Sequence, residues 1–588
     1  MNTIFNWQKC KSVFLVSGLC TLLLATSGKA AAAATIEIKD TNYKIPTGAY
    51  FVSPDGQDTN TGKTATSPWS VTKAIASAPS GATIVFRGGT YRNISLKIKK
   101  KVTLQAYPGE QAWLKGSVVV TGWAADGSLW VKNGWTYSFP QNVRSEFIDP
   151  AYPIADYRDM VYVDGVALQQ VASKAEVAPG TFYVDSANNR LYIGDNPAGK
   201  TVESTALPYA FTLWKKGSDD ESDSKIRGLG FAHYADMGVR IGAPRVTLEN
   251  NTFAWNGVTG AHFWGNLGGE ESISRDAIVR GNTFSYNGRK GLGGDQVDRM
   301  LLEDNTFSYN NVEHYAEDWD AAGIKVTGTD GLIWRKNLVE HNFSTGMWMD
   351  LSVTNATVIN NRVRYNDGIG IFFEVSHKAI IAGNLAYNNG YAGIMLSNSS
   401  SGQIYNNTLA DNKVNIRIKD TNRNNTNKQE IKAGVTWIAR NNVIKNNILS
   451  STTGDSLVEA SNCATDEQSK LMIDAADYNG YYRSSSSQPK TAFTWGFNAK
   501  QCAVTYTSIA AFNSATGYEA NAVTIDNVKT NPFFVDVANE NYGLKAGSPA
   551  IRRGVALPAD IAQVLGVATG VKVDLGAFQS QTVLSTGP

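Results

Sequence analysis

Two acidic residues occupy equivalent positions in consecutive repeats of this sequence. Asp350 is the fourth residue after Gly346 and Glu374 is the fourth after Gly370, which places them 374 − 350 = 24 residues apart. A matched pair of carboxyl groups suits the hydrolysis of a glycosidic bond, in which one group attacks and the other moves the proton. Two like charges held close together cannot both ionise cheaply, so one pKa is expected to rise, as a general acid requires.

The elements that would bring these acids together are visible in a repeat of Asn. Eight segments carry one Asn and a second Asn five residues later, and the first members are spaced by 31, 23, 32, 24, 23, 23 and 35 residues. A period near 23 residues with short strands and Asn at the corners is typical of a parallel β-helix. We therefore predict an all-β fold, a right-handed parallel β-helix, with an internal Asn ladder. The expected members of the ladder are Asn251, Asn282, Asn305, Asn337, Asn361, Asn384, Asn407 and Asn442.

A Gly opens one strand of most repeats, and the residues after it alternate in character. The first and third positions after the Gly are almost all apolar, which predicts that they face the core and that the second and fourth positions face outward. The outward set contains Trp264, Asp295, Lys325, Trp348 and Phe372 beside the two acids. Such a face indicates a groove lined for a ligand.

The strand spacing predicts the stereochemistry of the reaction. Neighbouring strands lie about 4.7–4.9 Å apart, whereas retaining glycosidases need carboxyl groups about 5–5.5 Å apart and inverting ones about 6.5–9.5 Å. The pair therefore fits a retaining mechanism. Trp348 and Phe372 are expected to stack on sugar rings, and Lys325 to hold Asp350 ionised or to bind the substrate.

A long loop precedes the strand that carries Lys325. From Asn310 to Gly323 the step is 13 residues instead of the usual four, so nine residues are extra. Long loops beside a groove often carry function. We expect Asp320 in this loop to aid substrate binding or to tune the acidic pair.

Three short stretches resemble glycoside hydrolase family 120. They are Ala322-Gly-Ile-Lys325, Gly346-Met-Trp-Met-Asp350 and Phe373-Glu-Val-Ser-His377, and the similarity spans residues 320–385. The resemblance implies a retaining β-xylosidase on a parallel β-helix.

The resemblance also implies roles for individual residues. Asp350 would be the nucleophile and Glu374 the acid/base, within a Glu-Val-Ser-His motif that brings His377 into the candidate site. A third acidic residue before Ala-Gly-Ile-Lys falls on Asp320. The family has Glu preceded by His at this point, whereas this sequence has Trp319-Asp320, so the role and the sugar preference do not transfer directly.

The beginning of the chain has the character of a signal peptide. Lys9 and Lys11 precede the apolar run Val13–Ala25, which is too short to span a bilayer, and the run Ala30–Ala34 offers cleavage sites. The mature protein is expected to be secreted or periplasmic and to have no membrane span. The predicted organisation is a signal peptide (1–34), an N-terminal cap with first coils (35–115), an inserted β-rich module (116–207), regular coils with the catalytic groove (208–450) and irregular C-terminal coils (451–588).

Cysteine and charge content narrow the possibilities further. Cys463 and Cys502 are the pair that remains after the signal peptide, and in an oxidising compartment they would form a disulfide, with two buried thiols as the alternative. A net charge of +2 disfavours nucleic acid as a partner. The expected partner is a poly- or oligosaccharide, and no cofactor or metal is expected for a hydrolase.

Two other functions stay open at this point. A polysaccharide lyase or uronate C5-epimerase would use Lys325 as a base, and Asp295, Asp320 and Asp350 could then hold Ca²⁺. A non-catalytic glycan-binding surface protein would need only the aromatic stripe. Fold alone does not separate these functions, but a paired Asp and Glu at one depth favours hydrolysis.

Overall fold

The computed structural model describes residues 36–215, 217–265, 274–454, 456–463 and 469–580. The predicted signal peptide lies outside the described residues. In the part of the chain that is described, no helix has both the length and the apolar character needed to cross a membrane.

Three long sheets form the body of the molecule, and each regular coil of the chain contributes one strand to each sheet in turn. All their strand pairs are parallel except the last pair of the third sheet, between Thr491–Trp495 and Val504–Tyr506. One such coil consists of Thr247–Glu249, Thr252–Ala254 and Thr259–Trp264. Each strand pairs with the strand one coil later in parallel register. This is the architecture of a parallel β-helix, as predicted.

The strands of each sheet are as follows. The first sheet contains Tyr50–Val52, Ala82–Phe86, Val102–Ala106, Lys225–Arg227, Thr247–Glu249, Ile278–Arg280, Leu301–Glu303, Ile333–Arg335, Thr354–Ile359, His377–Ala382, Ser400–Tyr405, Asn442–Lys445 and Ile473–Asp477. The second contains Gly89–Tyr91, Ala112–Lys115, Leu229–Ala232, Thr252–Ala254, Thr283–Ser285, Thr306–Ser308, Leu338–Glu340, Arg362–Arg364, Leu385–Tyr387, Thr408–Asn412, Ile448–Thr452, Gly480–Arg483 and Val523–Asp526. The third contains Leu96–Ile98, Tyr209–Trp214, Met237–Gly242, Thr259–Trp264, Lys290–Asp295, Ala322–Thr327, Thr345–Asp350, Ile369–Glu374, Ala392–Ser397, Ile416–Lys419, Ser456–Ser461, Thr491–Trp495 and Val504–Tyr506.

A continuous apolar core fills the space between the sheets. Phe231, Phe253, Phe284 and Phe307 stack along it with ring centroids 4.9–5.0 Å apart, a spacing set by the strands themselves. The inward pattern predicted for the third sheet is confirmed. Its fully or almost fully buried members are Ala261, Phe263, Leu292, Ile324, Val326, Met347, Met349, Ile371, Phe373, Ile394 and Leu396.

Buried Asn residues form a ladder at the turn between the first and second sheets. Each side-chain amide donates to the side-chain oxygen of the next Asn and to a backbone carbonyl, and each oxygen also accepts a backbone N–H. Buried polar groups are thereby satisfied at every coil. The ladder runs through Asn251, Asn282, Asn305, Asn337, Asn361, Asn384, Asn407, Asn447 and Asn479.

One predicted member of this ladder is wrong. After Asn407 the ladder continues with Asn447, at 3.0 Å, and not with Asn442. Asn442 lies in the first sheet, where its oxygen accepts the Gly402 backbone N–H at 2.8 Å. The coil after Asn407 is longer than the others. The sequence pattern predicts Asn442, the first Asn of the pair in this coil, whereas the ladder uses Asn447, the second. A second ladder, at the next turn, consists of Asn256, Asn287, Asn310, Asn342, Asn366, Asn389 and Asn412.

Short helices cover both ends of the core. The helix Val71–Ser77 is capped by Ser70, whose hydroxyl accepts a hydrogen bond from the Lys73 N–H. Its residues Val71 and Ala74 pack on the core. At the other end, Ile509–Thr516 contributes Ile509 and Phe512 to the same core. The remaining helices are Lys428–Lys432, Ser469–Met472 and Ala559–Leu565, with 3₁₀ turns at Ser145–Phe147, Lys174–Glu176 and Ala499–Gln501.

Two small, mainly antiparallel sheets lie in the stretch 116–207 that the sequence assigns to an inserted module. They have a separate apolar cluster that includes Trp135, Val161 and Leu191. The strands are Ser117–Val119, Val161–Val163, Val166–Ala167 and Val202–Thr205 in one sheet, and Ala124–Asp126, Leu129–Asn133, Gln169–Gln170, Thr181–Asp185 and Arg190–Ile193 in the other.

The C-terminal part of the chain adds further coils and then folds back over earlier ones. The second sheet extends to Val523–Asp526, and a hairpin of Phe534–Asp536 and Asn541–Leu544 follows. Ala559–Leu565 packs on the outside of the first sheet. Cys463 and Cys502 form a disulfide with their Cα atoms 4.9 Å apart.

Removing one rung of the Asn ladder should destabilise the protein. Asn361→Ala leaves the Asn337 backbone N–H and the Trp334 carbonyl without their partners, and each orphaned buried group costs about 1–3 kcal/mol. We expect the free energy of unfolding to fall by about 2–6 kcal/mol in denaturant titrations. Asn133→Ala, at an exposed position of the inserted module, is the control, and equal losses in the two variants would contradict a structural role for the ladder.

Candidate active site

Asp350 and Glu374 lie on neighbouring strands of the third sheet. Met349 pairs with Phe373 and Trp348 with Phe372, so the two acids follow equivalent positions one residue later. Asp350 is also in register with Thr327 of the preceding strand. The parallel register therefore brings the two predicted catalytic side chains to one place.

Asp350 is held by a lysine from the preceding coil. Lys325 Nζ lies 2.9 Å from Asp350 Oδ2, and the Leu351 backbone N–H donates to Oδ1 at 2.7 Å. Both Lys325 and Asp350 are 6% exposed, so the ion pair is shielded from solvent. This arrangement uses Lys325 in one of the two ways that the sequence predicts, as the partner of the carboxylate.

Glu374 has different surroundings. The Trp348 indole N–H donates to Oε2 at 3.0 Å, and Arg423 donates to Oε1 at 2.5 Å. Burial raises the pKa of Glu374 and the negative charge of Asp350 raises it further, while Arg423 and Lys325 oppose the shift without cancelling it. The two carboxyl groups therefore have different environments, as a pair with separate roles in catalysis requires.

Trp348 and Phe372 form a packed wall beside the acids. Their rings stack with centroids 5.3 Å apart, and Lys325 Nζ lies 3.4 Å from the centre of the Trp348 ring. Both side chains are buried, in a small cluster with Ile369 and Met395. They orient Lys325 and Glu374, and direct stacking on a sugar stays a prediction.

Residues 420–441, which connect a strand of the third sheet to one of the first, form a covering segment over the two acids. Arg423 belongs to it, Glu430 accepts a hydrogen bond from Ser352 at 2.5 Å, and the Trp437 indole N–H donates to Ser352 Oγ at 3.0 Å. Ser352 stands two residues after Asp350. The expected open groove is therefore a recessed site at this point, because the insertion folds over the outward face.

The loop of extra residues supports the site from the other side. The Trp319 carbonyl accepts a hydrogen bond from Lys325 at 2.6 Å, and the Trp319 ring stacks on Phe147 of the inserted module at 4.2 Å. Tyr315 and Ile148 form an isolated bridge between the same two regions. The inserted module thus holds the loop in position, and the loop in turn binds Lys325.

Asp320 lies in this loop but has other partners than the acidic pair. Lys290 Nζ is 2.7 Å from its carboxylate and Arg289 is 3.2 Å away. Burial alone would raise the pKa of Asp320, but the charges of Lys290, Arg289 and Lys325 outweigh it and hold the pKa at about 2. Asp320 is therefore an anion that organises cations next to the pair.

Asp295 and Trp264 lie further along the same face. Asp295 accepts hydrogen bonds from Thr327 at 2.7 Å and lies 2.9 Å from His262 Nε2. Burial raises the pKa of Asp295, but the neighbouring His262 and Lys290 lower it by more, so the pKa lies below its usual value. Trp264 stacks on His262 with centroids 3.9 Å apart.

His377 does not share this face. It begins the strand His377–Ala382 of the first sheet, its Nδ1 is 2.8 Å from Ser400 Oγ, and Gly434 of the covering segment lies against it. A substrate contact for His377 stays a prediction.

Several functional candidates escape the sequence pattern. Arg423 and Trp437 lie in a stretch without repeat residues, although the step of 40 residues from Asn407 to Asn447 marks the insertion that carries them. Lys290 and Arg289 lie at the start of a strand, where the pattern predicts no chemistry.

The family described as "Right handed beta helix region" matches residues 238–385 and 317–473. The fold is a right-handed parallel β-helix.

Three curated proteins are similar at 23% identity. An uncharacterised protein of Bacillus subtilis (strain 168), YwoF, aligns over 85% of this chain and 91% of its own length. Pectate lyase L of Dickeya chrysanthemi aligns over 52% and 76%, and mannuronan C5-epimerase AlgE2 of Azotobacter vinelandii over 40% and 24%.

A solved structure described as XylC with xylose shares this β-helix with a TM-score of 0.60. The two are 15% identical over 83% of this chain and 87% of that one, which shows a common fold. Among the described residues, no group of three or more His, Cys, Asp or Glu side chains is arranged to hold a metal ion, and the expectation that no cofactor is needed stays a prediction.

Removing the Arg423 guanidinium should raise the pKa of Glu374 further, because its charge and hydrogen bond favour the ionised form. We expect the infrared carboxyl titration of Glu374, assigned by subtracting Glu374→Gln, to move to higher pH in Arg423→Ala. Lys428→Ala, at an exposed position of the same covering segment, should leave the titration in place. An unchanged or lowered pKa in Arg423→Ala would show that the guanidinium does not act on Glu374.

Proposed function

We propose that this protein is a glycoside hydrolase that cleaves a poly- or oligosaccharide by a retaining mechanism, with β-xylosidase-like chemistry. The observation that carries the proposal is the division within one pair of neighbouring carboxyl groups. Asp350 is ion-paired with Lys325, whereas burial and the charge of Asp350 raise the pKa of Glu374. Two carboxyl groups with opposed environments match the roles of nucleophile and acid/base.

In the first step Asp350 attacks the anomeric carbon and forms a covalent glycosyl-enzyme. The ion pair with Lys325 and the hydrogen bond from Leu351 fix its orientation. The carboxylate oxygen attacks while the bond to the leaving oxygen breaks. Charge passes from Asp350 to the leaving group, so the leaving oxygen needs a proton.

Glu374 supplies that proton and later takes one from water. Its raised pKa keeps more of it protonated at a given pH than an exposed Glu would be. In the absence of substrate Arg423 occupies one of its oxygens, so binding must loosen this contact before the leaving group is protonated. The indole of Trp348 holds the other oxygen in place.

The similar proteins support a carbohydrate substrate. The similar solved structure is described with bound xylose, and two of the curated relatives are named as a pectate lyase and a mannuronan C5-epimerase. A glycan outside the cytoplasm also agrees with the predicted signal peptide, so we propose a secreted or periplasmic location.

A polysaccharide lyase or uronate C5-epimerase is the second candidate, because two relatives have those names. Lys325 would then be the base that removes the proton next to a carboxylate. The structure favours hydrolysis over this reaction, since the ammonium of Lys325 is bound by Asp350 and the Trp319 carbonyl.

Asp350→Ala should abolish turnover, because no glycosyl-enzyme can form without the nucleophile. We expect kcat for an aryl β-xyloside, or for the best substrate of a glycoside panel, to fall about 10³-fold or more. Asp318→Ala removes an exposed carboxylate from the nearby loop and is the matched control. Near-normal turnover by Asp350→Ala would rule out the assigned nucleophile.

Glu374→Ala should lose activity in a way that depends on the leaving group. Hydrolysis of unactivated oligosaccharides should fall about 10²–10⁴-fold, whereas activated aryl glycosides should still form the glycosyl-enzyme. Added azide should restore turnover and give a glycosyl azide of retained configuration. A product of inverted configuration would overturn the retaining mechanism.

Product analysis separates the candidate functions. New reducing ends without unsaturation identify hydrolysis, unsaturated uronates identify a lyase, and a changed uronate without cleavage identifies an epimerase. Binding without any product would identify a glycan-binding protein. If Lys325→Ala is inactive, removing Ca²⁺ abolishes activity and the products are unsaturated uronates, the lyase candidate prevails.

A further inference from the structure

A cavity lies on the third sheet at a distance from the acidic pair. It has a volume of about 350 Å³ and opens between the inserted module and the outward face of the sheet. Arg158 lines it from the module, while Tyr209, Arg240, Trp264 and Arg289 line it from the coils. None of these residues contacts Asp350 or Glu374 among the described residues, so the cavity is separate from the site above.

Arg240 is the central polar group of this cavity. Its guanidinium lies 4.7 Å from the Trp214 ring centre, 5.3 Å from that of Trp264 and 5.9 Å from that of Tyr209. Within the described residues, no carboxylate forms an ion pair with it and no acceptor forms a hydrogen bond with its side chain. An arginine held among aromatic rings, with no acceptor for its N–H donors in the described part of the chain, is suited to a ligand that brings its own acceptors.

The other charged groups at the cavity show the same excess of donors. Arg158 is paired with Asp236 and Arg289 with Asp320, yet the buried Nε atom of each arginine has no hydrogen-bond partner in the described structure. Buried donors without partners are costly. Both Nε atoms are enclosed by protein, so a ligand in the cavity would meet the outer atoms of these two guanidinium groups.

The two carboxylates that line the cavity already have partners, and Asp236 is paired with Arg158. Asp156 accepts hydrogen bonds from the Tyr315 hydroxyl at 2.7 Å and from the backbone N–H groups of Asn142 and Val143 at 2.6 and 2.9 Å. A ligand that mainly donates would therefore find few sites. A carboxylate, which accepts two hydrogen bonds from one guanidinium, fits the unused donors.

The position of the cavity along the sheet indicates what carries the carboxylate. Arg240 and Asp350 lie on strands Met237–Gly242 and Thr345–Asp350, four strand steps apart, a distance of about 19 Å. Trp264 and Trp214 offer the aromatic faces on which sugar rings rest. A separation of this size is one that an oligosaccharide can span.

We infer that this cavity is a distal subsite that binds a uronate residue of an acidic oligosaccharide, several units from the bond that is cleaved. Arg240 would pair with the uronate carboxylate while Trp264 and Trp214 pack against the ring. The assignment as a substrate subsite rests on the proposed hydrolase function, but the binding itself does not.

Calorimetric titration of Asp350→Asn protein, which cannot turn over substrate, tests the subsite. The probes are tetragalacturonate and its fully methyl-esterified form, together with xylotetraose and the same chain bearing one glucuronate. The acidic member of at least one pair should bind about tenfold more tightly, as expected for a charge-assisted contact. In the Asp350→Asn background, the further substitution Arg240→Gln should remove the difference in affinity between acidic and neutral probes. Arg240→Lys in the same background should keep part of it.

Arg245→Gln is the matched control, because Arg245 is an exposed arginine paired with Asp223 and remote from the cavity. It should preserve the preference for the acidic probe. Equal binding of the acidic and neutral members in both pairs would overturn the inference, as would a preference that Arg240→Gln leaves intact.

The two proposals fail separately in this design. Retaining hydrolysis of aryl glycosides by the wild-type protein tests the acidic pair alone. Hydrolysis together with equal probe binding refutes the uronate subsite and leaves the hydrolase. A preference that depends on Arg240, without any hydrolysis, supports the binding site and refutes the catalytic proposal.

Discussion

Parallel register between coils is the constraint on which the rest of this structure depends. Each coil places its residues directly above the equivalent residues of the coil before, and the Asn ladders at two turns of each coil hold that register by pairing buried amides with one another. A slip of one residue would turn the core face outward. The register therefore fixes both what is buried and what can act.

The same constraint creates the candidate chemistry. Asp350 and Glu374 are adjacent because one coil separates them, and Lys325 reaches Asp350 because it comes from the coil before. The third sheet sets the positions of the two acids, whereas segments outside the repeat determine how buried they are and which charges surround them. The covering segment with Arg423 and the loop with Trp319 bury the pair, and burial raises the pKa of Glu374.

Sequence periodicity predicts the regular part of this molecule and loses accuracy where the period breaks. The inward pattern of the third sheet and the adjacency of the two acids follow from the Gly spacing alone. The prediction of Asn442 fails at the longest coil, because spacing alone does not show which Asn of a pair joins the ladder after an insertion. Arg423 and Arg240 could not be found in this way, because their importance depends on how an insertion and a separate module fold onto the sheet, which no local pattern encodes.

The end of the chain lies on the outside of coils formed much earlier. Leu557 and Ile561 pack on Ile359 and Ala382 of the first sheet, and Phe533 and Tyr542 pack on Leu385 and Tyr387 of the second. During synthesis these middle coils can stack as soon as they emerge, since each contacts mainly its neighbours. Their outer apolar surface nevertheless stays uncovered until residues 533–575 have been made. A chain that stops early would retain its repeat and its acidic pair, but it would expose a hydrophobic strip prone to self-association.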